Sequence, residues 1–376
     1  MSIAPATPGP GGVAGIVALL GRKTVILGGV ALTGAAVTLG LRVAGASEVA
    51  IFVIAAVTLA GLAGLVGEGT DQLGGRFGPG ATGVLQSALG NLPELFISLF
   101  ALREGLTVLV QTALVGSILG NSLLVLGLAF LAGGLKHGRQ VFDAAPVRTI
   151  AIVVVLAVAS LAIPTVSTSP GGPDQGHAVE ISVFVSIILL VVFVASIPYS
   201  LRGGQGASAI GHGDEGGATW PLRLSLGVLA TGGIGAAFVS DWFVAALRPA
   251  MATLGLSEAF VGLVVVAIAG NAVENVVGIQ QAMKNRMDLS ISLIQNSSLQ
   301  VAIALTPVLM LASLFISPTP MTLVLAPTLL VGLSLTAILG AFVVFDGEST
   351  WLEGLMLLGL YLIIAASVWY GPPVAL

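Results

Sequence analysis

The sequence predicts an all-α polytopic membrane protein of about 11 transmembrane helices, arranged as two inverted five-helix repeats plus an extra N-terminal helix. Three observations lead there. Of the 376 residues, 56% are hydrophobic and only 8% are charged, against roughly 25% charged in a soluble domain. So few charges cannot cover a water-facing surface, and a mean hydropathy of +1.08 makes the lipid bilayer the natural surrounding. Apolar stretches near the roughly 20 residues needed to span a bilayer recur along the whole chain. Finally, two segments nearly repeat each other: GNLPELFISLFALREG from Gly90 and GNAVENVVGIQQAMKN from Gly270, 180 residues apart.

The spans fall approximately at 24–41, 48–68, 80–102, 107–133, 147–165, 180–199, 221–247, 257–281, 289–315, 319–344 and 349–369. The first is read as a retained helix. The leading MSIAPATPGPGG lacks the basic start of a signal peptide, and Arg22 and Lys23 stand just before the apolar run. Residues 1–47 thus hold a tail and the extra helix, and 48–200 the first repeat. A linker follows at 201–219, flexible by its Gly-rich polar composition, and the second repeat is 220–376. If five spans repeat as five, the odd number turns the second copy over in the membrane. His212, Asp214 and Glu215 in the linker, and His177 before it, read as solvated residues rather than a metal site. Trp220, Trp242, Trp351 and Trp369 lie near span ends, where an aromatic belt belongs.

Charge orients the chain. One face collects Arg22, Lys23, Arg76, Lys136, Arg139, Arg148, Arg202, Arg223, Lys284 and Arg286; the other receives Arg42, Arg103 and Arg248. Ten against three predicts a cytoplasmic N-terminus and an external C-terminus. The short loops suit the plasma membrane of a prokaryote. The absence of cysteine excludes disulfides and thiolate chemistry. No basic cluster points to nucleic acid. His137, His177 and His212 all fall in predicted loops without an HExxH motif, so nothing suggests an enzyme or a resident cofactor. Oligomeric state is not legible.

The chemistry lies in the repeated segments. Each places a carboxylate four residues after its glycine, Glu94 and Glu274, in apolar sequence without a basic neighbour in the span. A buried, unpaired carboxylate takes up a proton, and an arriving cation displaces it. Two such groups supply two charges for a divalent ion, and oxygen ligands suit a hard one such as Ca²⁺. Gly90 and Gly270 permit a break or a close helix approach, and Pro93 is expected to free a backbone carbonyl one turn earlier. Asn91 and Asn271 either add an oxygen or hold the bend. Each glutamate is followed 23 residues later by a serine, Ser117 and Ser297, with Asn121, Asn296, Ser298 and Gln300 nearby. The fourth and ninth spans are therefore expected to cross the third and eighth and complete a coordination shell. Glu68 and Asp241 close the second and seventh spans, where they fit the mouths of two access routes.

These stretches, with GEGTDQL, VQTALVGSILGNSLLVLGLAFLAGG and IQNSSLQVAIALTP, resemble the calcium/proton exchanger branch of the cation/calcium exchanger superfamily, from about residue 48 to the C-terminus. The resemblance implies the inverted-repeat fold and antiport of Ca²⁺ against H⁺. It also implies Glu94 and Glu274 as central carriers, Ser117, Ser297, Ser298 and Gln300 as site-lining residues, and Glu68 and Asp241 as outer carboxylates on the ion paths. The chain departs from the family with Asp241 where glutamate is usual, with Asn296 where glycine is usual, and with no long acidic run between the halves. A sodium-driven exchanger, or an antiporter for another cation, is the rival reading. The neutral neighbours of the two glutamates favour protons over sodium. A cation channel fits less well, since two inverted halves suit alternating access.

Overall fold

The computed structural model describes residues 20–76, 85, 89–201 and 220–370, and they are helical almost throughout. In chain order the helices are α1 (Arg22–Val43), α2 (Glu48–Gly74), α3 (Leu92–Arg103), α4 (Thr107–His137), α5 (Ala144–Thr168) and α6 (Ala178–Leu201). After the linker come α7 (Leu222–Leu254), α8 (Glu258–Gly270), α9 (Ala272–Met283), α10 (Met287–Ile316), α11 (Pro327–Val343) and α12 (Trp351–Tyr370). Among the described residues, eight helices are long and apolar enough to cross a membrane, and α8 with α9 makes a ninth span bent by 64°. Two short strands, β1 (Gln140–Val141) and β2 (Glu348–Ser349), pair antiparallel and tie the end of α4 to the start of α12.

Two expected spans differ. The third, 80–102, is described as a continuous helix only from Leu92, and 77–84 and 86–88 lie outside the described residues, as does the linker with His212, Asp214 and Glu215. The tenth was expected at 319–344, but helix begins only at Pro327. Pro318, Pro320 and Pro327 deny the preceding stretch its helical N–H donors. Residues 317–326 run extended instead, and side chains from four helices satisfy their backbone. The N–H groups of Met321, Leu323 and Leu325 donate to Ser313, Ser182 and Thr165 at 2.8–2.9 Å, while Gln111 Nε2 donates to the Thr322 carbonyl at 2.6 Å.

Helices α3 and α9, which carry the two related segments, are each 12 residues long. Both α4 and α10 carry a π-helical stretch at mid-length, Gly120–Val125 and Val301–Leu305. Such bulges redirect side chains without ending a helix and recur at functional sites. The long helices α2 and α7 pack along each other, with Phe52 stacked on Phe243 at 5.0 Å between ring centres. Helix α4 crosses α8 where both are pared to glycine. A Cβ on Gly116 would fall 2.3 Å from the Leu263 carbonyl oxygen, and one on Gly262 would fall 2.5 Å from that of Leu109. Small residues at a crossing let membrane helices approach backbone to backbone.

Large apolar side chains point outward, among them Phe184, Ile188 and Val191 of α6, Phe342 of α11, and Leu362 and Ile363 of α12, while Glu94, Ser117 and Asn271 are buried. This inside-out distribution belongs in lipid. The helix ends are tied by polar contacts. Arg139 pairs with Glu348, the Arg148 guanidinium donates to the Phe345 carbonyl, and Lys136 and His137 both reach the Met283 carbonyl at 2.8 Å. Arg248 donates to the Glu104 carbonyl at 3.0 Å, and Arg42 lies over the Trp242 ring at 5.7 Å. Each of these contacts joins segments that the charge count assigns to one face.

Candidate cation-binding site

Helices α3 and α9 start alike. Asn91 (φ −90°, ψ 16°) and Asn271 (φ −106°, ψ 16°) precede the first turn, and Glu94 and Glu274 sit within it. The positive end of each helix dipole therefore faces its own carboxylate. Neither asparagine caps the helix it precedes. Asn271 Nδ2 instead donates to the Ala267 carbonyl at 2.9 Å, which closes the end of α8 and holds the bend, and to Ser117 Oγ at 3.0 Å. Asn91 Nδ2 reaches Gln300 Oε1 at 3.4 Å. Pro93 stands in the first turn of α3, where no intrahelical N–H bond is needed.

The predicted crossing is present. Ser117 Oγ donates to Glu94 Oε1 at 2.5 Å. One hydrogen-bonded chain threads both copies. Asn121 donates to Ser297 at 2.9 Å, Ser297 to Asn271 Oδ1 at 3.5 Å, Asn271 to Ser117, and Ser117 to Glu94. Every donor in it points toward the Glu94 carboxylate, the polarity that an ionised acceptor favours. Ser298 meets Ser122 at 3.2 Å. The pairing of Asn121 and Ser122 with the facing serines is not legible in sequence, although two adjacent polar residues in an apolar span were a signal. Two buried oxygens at the start of α3, Glu94 Oε2 and Asn91 Oδ1, have no hydrogen-bond partner. Unpartnered buried oxygens are expensive unless something electropositive fills the space between them.

The two carboxylates are not equivalently placed. Glu94 is fully buried. Glu274 is half-buried and faces a cleft lined by Asn296, Ser297 and Gln300 on one side and by Glu68, Asp71 and Lys23 toward the helix ends. Gly270 forms the wall between them. It lines the cleft, and a Cβ on it would come 3.2 Å from Glu94 Cβ. Glu68 lines this cleft. Asp241 is exposed on α7 and does not line this cleft. Among the described residues no three His, Asp or Glu side chains converge, so a cation here would rely on two carboxylates and neutral oxygens.

Substituting Gly270 tests the wall. A Cβ there already makes Glu94 give by a few tenths of an ångström, and the branched side chain of Gly270→Val crowds it further. Ion flux per folded molecule is expected to fall. A well-folded Gly270→Val protein with wild-type flux would contradict the geometry.

The fold and the site define a polytopic membrane transporter with a carboxylate in the first turn of each of α3 and α9. The sodium/calcium exchanger protein family matches residues 47–202 and 224–370. The chain is 34% identical over 343 residues to the Ca(2+)/H(+) antiporter of Aphanothece halophytica, covering 87% of this chain and 92% of that one. It is 36% identical over 320 residues to the Ca(2+)/H(+) antiporter ChaA of Bacillus subtilis, covering 84% and 90%. The solved structure of native YfkE superposes with a TM-score of 0.78 at 32% identity, over 91% of this chain and 99% of that one. The H+/Ca2+ exchanger CAX, at 14% identity and a TM-score of 0.69, shares the fold. The chain belongs to the sodium/calcium exchanger protein family.

Proposed function

We propose that this protein is a secondary active antiporter that exchanges cytoplasmic Ca²⁺ for H⁺ by alternating access, with Glu94 and Glu274 alternately holding metal and protons. The observation that carries the reading is a carboxylate in the first turn of each of α3 and α9, with Glu94 tied through Ser117 to Asn271 at the start of α9. The relatives named as Ca²⁺/H⁺ antiporters, of the ChaA and YfkE type, support the ion pair. Ser117, Ser297, Ser298, Gln300, Asn91 and Asn271 supply neutral oxygens or orient those that bind. Glu68 and Asp241 serve the two access routes.

The finer architecture belongs to the same proposal: 11 spans, as two inverted five-helix repeats at 48–200 and 220–376 behind the extra helix, N-terminus inside and C-terminus outside. The ten-to-three charge split supports that orientation. With it, the cleft at Glu274 opens to the cytoplasm while Glu94 is closed off. This is an inward-open arrangement, from which Ca²⁺ meets Glu274 first. Each step then balances charge: two protons leave as one Ca²⁺ enters, so the pair of carboxylates never stands uncompensated in the membrane.

Everted vesicles test the function. An imposed pH gradient, acid inside, is expected to drive Ca²⁺ uptake, and a sodium gradient of equal size is expected to drive none. Uptake that follows sodium alone would replace this reading with the sodium-driven one.

A further inference from the structure

Helix α1 lies outside the repeat, yet it sends one side chain into the ion path. Lys23 lines the same cleft as Glu274, and its ammonium lies 3.0 Å from the Glu68 carboxylate. The Lys23 side chain is 61% exposed and that of Glu68 only 17%. The carboxylate is thus fixed in the wall, while the lysine is held loosely from the water side. We propose that Lys23 is a tethered competitor for the transported cation: its ammonium occupies Glu68 at the cleft mouth and must be displaced before a divalent ion can use that carboxylate. The proposal rests on the antiport reading above and adds a residue that governs cytoplasmic affinity.

Three features carry it. An ammonium in contact with Glu68 cancels most of the attraction that a lone carboxylate at a cleft mouth exerts on an approaching cation. A divalent ion brings twice the charge to the same oxygens and competes well for them. Finally, α1 is not held to α2 by this pair alone. A Cβ on Gly61 or Gly64 of α2 would crowd Val30, Ala31 and Leu27 at 2.8–3.5 Å, so α1 packs close against α2 whether or not the ion pair forms. Among the described residues the opposite end of α1 makes no matching ion pair with a carboxylate. Arg42 is stacked on Trp242, next to the exposed Asp241.

Initial rates of Ca²⁺ uptake into everted vesicles, where added Ca²⁺ meets the cytoplasmic mouth, separate this role from a structural one. Lys23→Ala is expected to lower the KM for Ca²⁺ about three- to tenfold at low ionic strength, with a smaller gain at high salt, since screening weakens the displaced charge. Lys23→Arg, which keeps the charge, is expected to restore the wild-type KM. In a Glu68→Gln background, Lys23→Ala is expected to change KM no further. Arg42→Ala, which removes a cation from the other end of the same helix, is expected to leave the cytoplasmic KM where it was. A Lys23→Ala protein with unchanged or raised KM, or one whose only defect is a lower maximal rate, overturns the proposal. So does a KM shift that persists without Glu68 or that Arg42→Ala reproduces. If the wild type itself shows no proton-driven Ca²⁺ uptake, it is the antiport reading that fails, and the two failures are distinguishable in the same vesicles.

Discussion

Glu94→Gln and Glu274→Gln are each expected to reduce Ca²⁺/H⁺ exchange at least about a hundredfold while leaving the fold intact. Either substitution removes one of the two charges that neutralise a divalent ion and one of the two groups that carry protons back. Loss of a charged ligand from a site withdrawn from water is worth about 3 kcal/mol, or about a hundredfold. The fold should survive because glutamine keeps shape and acceptor. At position 94 its amide oxygen can still accept from Ser117, whose bond to Glu94 Oε1 is 2.5 Å in the wild type. Transport assays paired with thermal unfolding and gel filtration of the purified variants check this. A folded variant of either kind with wild-type flux would remove that carboxylate from the site. The unequal burial of the pair adds a finer expectation. Glu274 faces the open cleft, so its loss should weaken cytoplasmic Ca²⁺ binding directly, whereas loss of Glu94 should act on the closed end of the path.

The second large effect concerns pH. On the proposed reading, both carboxylates are ionised when they present two charges to Ca²⁺, and both are protonated when they return without it. Protons and Ca²⁺ therefore compete for one pair of groups. Where both protons must leave for each ion bound, apparent Ca²⁺ affinity changes by up to about a hundredfold per pH unit. The sign is fixed: affinity falls as pH falls, because the protonated pair binds protons at the expense of metal. The two protons need not leave at separate midpoints assignable to single residues, since the groups share one site.

Much of this site is legible in the sequence because the duplication writes it twice. Glu94 and Glu274 at equal distance from their glycines, and Ser117 and Ser297 at equal distance from the glutamates, give both the elements and the expectation that they cross. The hydrogen bond from Ser117 to Glu94 is that crossing. What is not legible is non-local. That Asn271 bonds Ser117 of the other copy, or that Asn121 meets Ser297, depends on helix placement that no spacing encodes. The ion pair of Lys23 with Glu68 joins two helices whose sequences carry only an interfacial lysine and a helix-end acid. The stretch 319–326, expected as the start of the tenth span, is non-helical for a different reason. Its composition is apolar enough, but its prolines break the helix and side chains from elsewhere carry its hydrogen bonds. The unequal burial of Glu94 and Glu274 is likewise silent in the sequence, because the two related segments write their glutamates alike.

The central claim is that metal and protons replace one another at a single carboxylate pair. It is tested most directly by measuring protons released as Ca²⁺ is titrated into the purified protein in weakly buffered solution, at several pH values and without sodium. The expected result is release that approaches two protons per Ca²⁺ bound at the acid end of the range and declines as pH rises. Release of that size should be lost in Glu94→Gln and Glu274→Gln. Saturable Ca²⁺ binding with no proton release, and with the same affinity from mildly acidic to mildly alkaline pH, would contradict the claim.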